Sequence, residues 1–258
     1  MPSIDCCDND IGSHPPLPGP ATGAARIPLE KSFDSRSPGP RIRSKMALMT
    51  PERTAIVLVG FQNDYFDPEG ILRPVVEDRG GIDRVREATI TFLKAVETTA
   101  VTIIATAIQF TDDYSELVEP VGILKTIRDC GAFQRDGWGG RCIPELEALG
   151  DRILHLPGKR GLNAFSNTDL DDVLRHRAIT HVVMAGVVTS VCIDSTGRSA
   201  HERDFAVTVL SDCTGGRTSF EQDFYCREIF PLYADVKTSA ELVSAFTHDG
   251  AARPLAGA

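Results

Sequence analysis

His181-Val182-Val183-Met184-Ala185-Gly186-Val187-Val188-Thr189-Ser190-Val191-Cys192 is the stretch on which the reading of this chain turns. From Val182 to Val188 it is apolar without alternation, the pattern of a parallel strand buried on both faces. His181–Val187 therefore reads as a strand, and Ser190–Arg203 as the helix that follows it. Working outward, Ala55-Ile56-Val57-Leu58-Val59 is a second unbroken apolar run, closed by Gly60. Further strands are expected at Val101–Ile108, Arg152–Leu156, Phe205–Leu210 and Ala234–Val236. Between them, residues 80–99, Leu117–Cys130, Thr168–His176, Ser219–Phe230 and Ser239–Phe246 carry helical patterns, and 131–144 is Gly-rich and irregular. Thr168 is placed to cap its helix, with Asp169, Asp171 and Asp172 favourable in the first turn. Strands that alternate with helices predict an α/β fold: a doubly wound, Rossmann-like parallel sheet with helices on both faces. Sites in such folds gather at the C-terminal ends of the strands.

Composition bounds the rest. The 258 residues are 42% hydrophobic and 24% charged, which excludes collagen-like, disordered and disulfide-scaffold classes for the whole chain. Half of the 16 prolines fall within the first forty residues. Residues 1–50 are therefore expected to be a Pro-rich, disordered extension, 51–248 the folded domain and 249–258 a tail. Met46 and Met49 stand just ahead of the ordered pattern. Residues 1–50 hold six Lys/Arg against five Asp/Glu, so the formal charge of −9 is a body of −10 and an extension of +1. That balance argues against nucleic acid and anionic membrane as partners. No apolar run approaches the roughly 18 residues of a membrane span. The acidic, Pro-rich start does not read as a signal peptide. Seven scattered cysteines with no C-x-x-C pair suit reduced thiols in a cytoplasmic protein rather than a disulfide frame or a zinc ribbon.

The strand-end rule selects Gly60–Tyr65, Lys159–Phe165 and Gly186–Cys192. Cys192 falls in the first turn of a helix, where backbone N–H groups and the helix dipole stabilise a thiolate or an oxyanion. A small buried core residue is the alternative role for such a cysteine.

These segments also form a recognisable set. Gly186-Val-Val-Thr-Ser-Val-Cys-Ile-Asp-Ser-Thr-Gly-Arg-Ser-Ala200 resembles the signature of the isochorismatase-like cysteine hydrolases, which include nicotinamidases and N-carbamoylsarcosine amidases. Phe61-Gln-Asn-Asp-Tyr-Phe66, Gly139-Gly-Arg-Cys-Ile-Pro-Glu-Leu146, Lys159-Arg-Gly-Leu-Asn-Ala-Phe165 and Ser211-Asp-Cys213 follow the same family in the same order, over roughly residues 52–246. The resemblance implies hydrolysis of a C–N bond in a small amide or ureido compound, through a thioester on Cys192. It implies that Lys159 holds the thiolate and the bound carbonyl by its charge. It implies a non-proline cis peptide at Val188–Thr189, whose N–H groups join that of Cys192 in an oxyanion hole. A homo-oligomer, a small-molecule substrate and no cofactor are expected on the same ground.

One position departs from the family. Its members usually carry an aspartate at the end of the first strand, two residues before the glutamine, and here that residue is Gly60. The aspartate normally moves the proton between thiol and leaving amine. Asp64 is the nearest replacement in sequence, but four extended residues span about 13 Å, so it reaches the site only through a sharp turn. Gln62 is no base. Three possibilities stand open: unchanged chemistry with another base, an altered or vinyl-ether reaction, or a binding subunit without turnover. Nicotinamidase-type members bind a metal through histidines after the second strand. The matching stretch Ala107–Asp113 has none, and no histidine lies between His14 and His155, so no metal is expected. Gly60, Phe61, Gln62, Phe66, Gln109 and Trp138 are the expected substrate-pocket residues, with ordinary packing as the alternative for the aromatics.

Overall fold

The structure is a computed structural model that describes residues 49–251. Side chains alternate along β1 (Thr54–Val59). Ile56 and Leu58 enter one core, Ala55, Val57 and Val59 the other, and all five are buried. Both faces of this strand are therefore covered, as its unbroken apolar run requires.

After β1 come α1 (Asn63–Phe66), α2 (Arg79–Val96), β2 (Thr102–Thr106), α3 (Gly122–Cys130), α4 (Pro144–Glu147) and β3 (Ile153–His155). The second half holds α5 (Leu170–His176), β4 (His181–Val187), α6 (Asp194–Glu202), β5 (Ala206–Gly215), α7 (Ser219–Phe224), β6 (Asp235–Lys237) and α8 (Ser239–Ala251). The six strands form one sheet, ordered β3-β2-β1-β4-β5-β6, with every pairing parallel. Ile82, Val85, Phe92 and Leu93 of α2 pack with Leu242 and Phe246 of α8 in the first core, and Leu170, Leu174 and Ala200 of α5 and α6 pack in the second. This is the expected doubly wound sheet. Its chain order reverses between β1 and β4, and ligands in such sheets bind in the crevice at that point.

Local departures have local causes. Helix α3 starts at Gly122 rather than near Leu117, because Pro120 disfavours helical backbone at the residue before it. Helix α5 starts at Leu170, whose N–H is accepted by the Thr168 hydroxyl at 3.3 Å. Strand β5 runs on through Ser211-Asp212-Cys213 to Gly215. The expected extension lies outside the described residues up to residue 48. Helix α8 continues to Ala251, past the boundary expected at 248, and the remainder of the tail is also outside the described residues.

Candidate active site

Gly60, Lys159 and Cys192 line one small cavity at the β1/β4 reversal, together with Tyr65, Phe133 and Val187. Its aliphatic cover comes from Ile123 and Ile127 on α3 and from Leu162. The cavity measures about 10 Å³, room for a single water. A larger ligand enters only when the side chains over it move, and Leu162 is the most exposed of them.

The chain brings Lys159 here by a bridge beyond the ends of the strands. Residue 159 pairs with Ile108, and the Gln109 N–H donates to the Lys159 carbonyl at 3.2 Å. The lysine side chain is buried, at 1% exposure. Its Nζ donates to the Gly161 carbonyl at 2.6 Å and to Cys192 Sγ at 3.7 Å. The contact sets a positive charge, shielded from water, directly beside the sulfur.

Cys192 sits in a π-helical turn, Thr189–Ile193, that runs directly into α6. The Val188 carbonyl accepts the N–H groups of Val191 (3.0 Å) and Ile193 (3.2 Å) and so closes the turn. The Thr189 hydroxyl donates to Gln222 Oε1 of α7. The non-proline cis bond is at Val187–Val188, one residue earlier than the Val188–Thr189 bond expected from the sequence. Val187 is the last β4 residue still paired with β5, opposite Gly215, so the chain leaves the sheet at the bond that follows it.

Gly60 brings no functional group, and its surroundings leave no space for one. Its φ is +73°, and a Cβ built on it would lie 2.7 Å from the Val187 carbonyl oxygen. Backbone cannot swing aside as a flexible side chain does. Gly60→Asp is therefore expected to cost about 1–3 kcal/mol in backbone strain alone. That lowers Tm by roughly 2–12 °C for a domain of this size, with no gain in hydrolysis. A thermal melt beside a turnover assay checks this, and a Gly60→Asp variant with wild-type Tm and raised activity contradicts it.

Asp64 is not among the residues lining the cavity. Its Oδ2 accepts the Phe133 N–H at 2.7 Å. Burial raises its carboxyl above the ordinary carboxylate value, against opposing hydrogen bonds from the backbone of Phe133 and Ile71. It positions Phe133, which does line the cavity.

The other expected pocket residues also lie elsewhere. Phe61 and Phe66 stack on one another in the core, with centroids 4.7 Å apart and planes at 12°. Gln62 is a clip: its Nε2 donates to the Ile108 and Gly140 carbonyls, both at 2.8 Å, and its Oε1 accepts the Ile108 N–H at 2.9 Å. Gln109 Nε2 donates to Gly140 O at 3.0 Å. Trp138 is half exposed and does not line the cavity. Tyr65 lines it as well; it falls inside the selected Gly60–Tyr65 segment, but a single helical turn, Asn63–Phe66, leaves too short a pattern to assign it a face.

The loop after β2 does not fit a nicotinamidase-type metal. Its carboxylates are tied to the loop itself: Thr111 Oγ1 donates to Asp113 Oδ1 and to Glu116 Oε2, both at 2.7 Å, and Glu116 also accepts the Thr111 N–H. The stretch contains no imidazole.

Residues 54–241 match the family profile of the isochorismatase domain. The ureidoacrylate amidohydrolase RutB of Cronobacter sakazakii is 31% identical over 185 residues, 67% of this chain and 78% of that protein. Its counterpart from Caulobacter vibrioides is 30% identical over 210 residues, 76% of this chain and 92% of that protein. Among solved structures, a cysteine hydrolase from Pseudomonas syringae pv. phaseolicola aligns with TM-score 0.68 and 23% identity, over 78% of this chain and 95% of that one. With the sheet order and the site at its reversal point, these matches show that the chain belongs to the isochorismatase family of hydrolases.

Proposed function

We propose that this hydrolase of non-peptide carbon–nitrogen bonds uses Cys192 as nucleophile and works without a metal, on a small amide or ureido compound. The observation that supports this most directly is the buried contact of Lys159 Nζ with Cys192 Sγ, 3.7 Å, inside the cavity at the strand-order reversal. The ammonium holds the thiolate and then the carbonyl oxygen as negative charge moves onto it. Backbone N–H groups of the turn from Val188 to Cys192 serve the same oxygen. Sulfur attack gives a tetrahedral adduct, the C–N bond breaks, and water releases the acid from the thioester. The ureidoacrylate amidohydrolases among the relatives favour a ureido acid as substrate. A cytoplasmic homo-oligomer without cofactor, nucleic acid or membrane partner belongs to the same proposal.

A second reading has one observation in its favour: among the described residues no carboxylate lines the cavity, so a member that binds without turnover is the rival. Incubation with 3-ureidoacrylate separates the two. The expected result is steady ammonia release, with an acyl adduct on the peptide containing Cys192 after acid quench. Turnover that survives alkylation of Cys192 overturns the thioester mechanism. Binding without product supports the rival.

A further inference from the structure

We propose that Tyr65 is the catalytic acid of this site, giving its phenolic proton to the leaving nitrogen in place of the first-strand carboxylate. The inference rests on the cysteine-hydrolase reading above and asks how that reaction moves its proton.

Among the described residues, three that line the cavity carry a titratable side chain: Cys192, Lys159 and Tyr65. Its walls hold no carboxylate and no histidine from those residues. Cys192 is consumed as nucleophile. Lys159 is committed to Gly161 O and Cys192 Sγ, and surrendering its proton would remove the charge that holds the sulfur and the oxyanion. Gly60 has no group to give, and Asp64 faces the Phe133 backbone. Tyr65 remains.

Its placement is firm. The turn that carries it is fixed on both sides. The Asn63 N–H donates to Arg141 O and the Asp64 N–H to Gly139 O, each at 3.0 Å, and the Tyr65 N–H donates to Gln62 O at 3.0 Å. The ring is buried and packs against Phe133, centroids 5.1 Å apart and tilted by 56°. Phe133 is in turn held by the Asp64 carboxylate. Burial first, then negative charge on Cys192, Asp64 and Cys130, pushes the phenol up from its ordinary value. The hydroxyl thus stays protonated until a stronger base forms beside it. A nitrogen leaving a tetrahedral adduct is such a base.

The steps balance. Thiolate sulfur bonds to the carbonyl carbon and the carbonyl electron pair moves to oxygen. When the adduct collapses, the C–N bond breaks and its electron pair takes the Tyr65 proton, leaving amine, thioester and phenolate. Water then attacks the thioester and gives a proton to the phenolate. The C–S bond breaks, the acid departs, and thiolate and phenol are restored.

The test compares leaving groups. Ammonia release from 3-ureidoacrylate needs a protonated nitrogen, whereas 4-nitrophenyl acetate expels a stable phenolate that needs no proton. For Tyr65→Phe, kcat on 3-ureidoacrylate is expected to fall by about 10²–10⁴, the usual worth of a general acid. The 4-nitrophenolate burst and the rate of Cys192 alkylation by iodoacetamide are expected to stay near wild type. An undiminished ammonia rate, or an equal loss on both substrates, overturns the inference while leaving the thioester reading intact. If Tyr65→Phe does not fold, fluorotyrosine at residue 65 carries the comparison: a changed ureide rate with an unchanged ester burst supports the acid, and parallel changes refute it. Absence of ammonia from the wild-type enzyme removes the ureide reading, and the acid with it.

Discussion

Cys192→Ala is expected to lower ammonia release from 3-ureidoacrylate by about 10⁴-fold or more, the scale on which nucleophile removal acts in enzymes with a covalent intermediate. The loss is this large because nothing else in the cavity can replace sulfur. Lys159 is fully buried with its Nζ bonded to the Gly161 carbonyl, and Tyr65 keeps its proton. The fold should survive. Cys192 lies at the edge of the second core and is small, so its truncation costs only about 1 kcal/mol. Binding should survive as well, since the lysine and the turn remain. A calorimetric titration with 3-ureidoacrylate, run on the inactive variant, should therefore report a complex that the wild type destroys. A Cys192→Ala protein that still turns over within tenfold of wild type would end the thioester mechanism. Three of the other thiols are poor targets for alkylation at neutral pH, because burial raises Cys142 and Cys226 to about 11 and Cys213 to about 12.

What is legible in the sequence, and what is not, divides along the range of the interactions. Ala55–Val59 and Val182–Val187 read as strands because burial on both faces imposes one unbroken apolar composition. The position of Cys192 at a strand-to-helix turn follows from the same pattern. The pocket is poorly legible. Phe61 and Phe66 are aromatics near a strand end, and composition does not distinguish a ring that faces a ligand from one that stacks on its neighbour. Gln62 resembles a substrate-binding amide until its partners are known, and they lie 46 and 78 residues away. The Gly60 substitution is visible as a missing carboxylate. Its steric cause is not, because the obstructing carbonyl belongs to Val187, across the sheet.

Gly186→Ala is expected to be the most damaging single methyl group in the domain. Gly186 pairs with Val59 in the β1–β4 ladder and has φ +125°, a region that side chains rarely adopt. A Cβ there would stand 1.8 Å from the Val59 carbonyl oxygen and 2.8 Å from its carbon. That overlap is with main chain on a central strand, so it is relieved only by parting the two strands. It also coincides with the register shift of β4 against β5 between Met184 and Gly186, where glycine permits the close approach. The cost should exceed about 4 kcal/mol, a large part of a typical domain's stability. The protein is then expected to be insoluble, or to melt more than about 10 °C below wild type. The effect reaches the chemistry by a short route. Gly60 follows Val59, Val187 follows Gly186, and both line the cavity beside Cys192. Parting β1 from β4 opens the cavity floor and turns the Thr189–Ile193 segment away from Lys159. Any folded fraction should therefore show slow iodoacetamide labelling of Cys192 as well as a depressed melt. A Gly186→Ala protein with wild-type Tm and labelling would mean that β1 and β4 do not meet as closely as described, and the strand-end site would have to be rebuilt on another pairing.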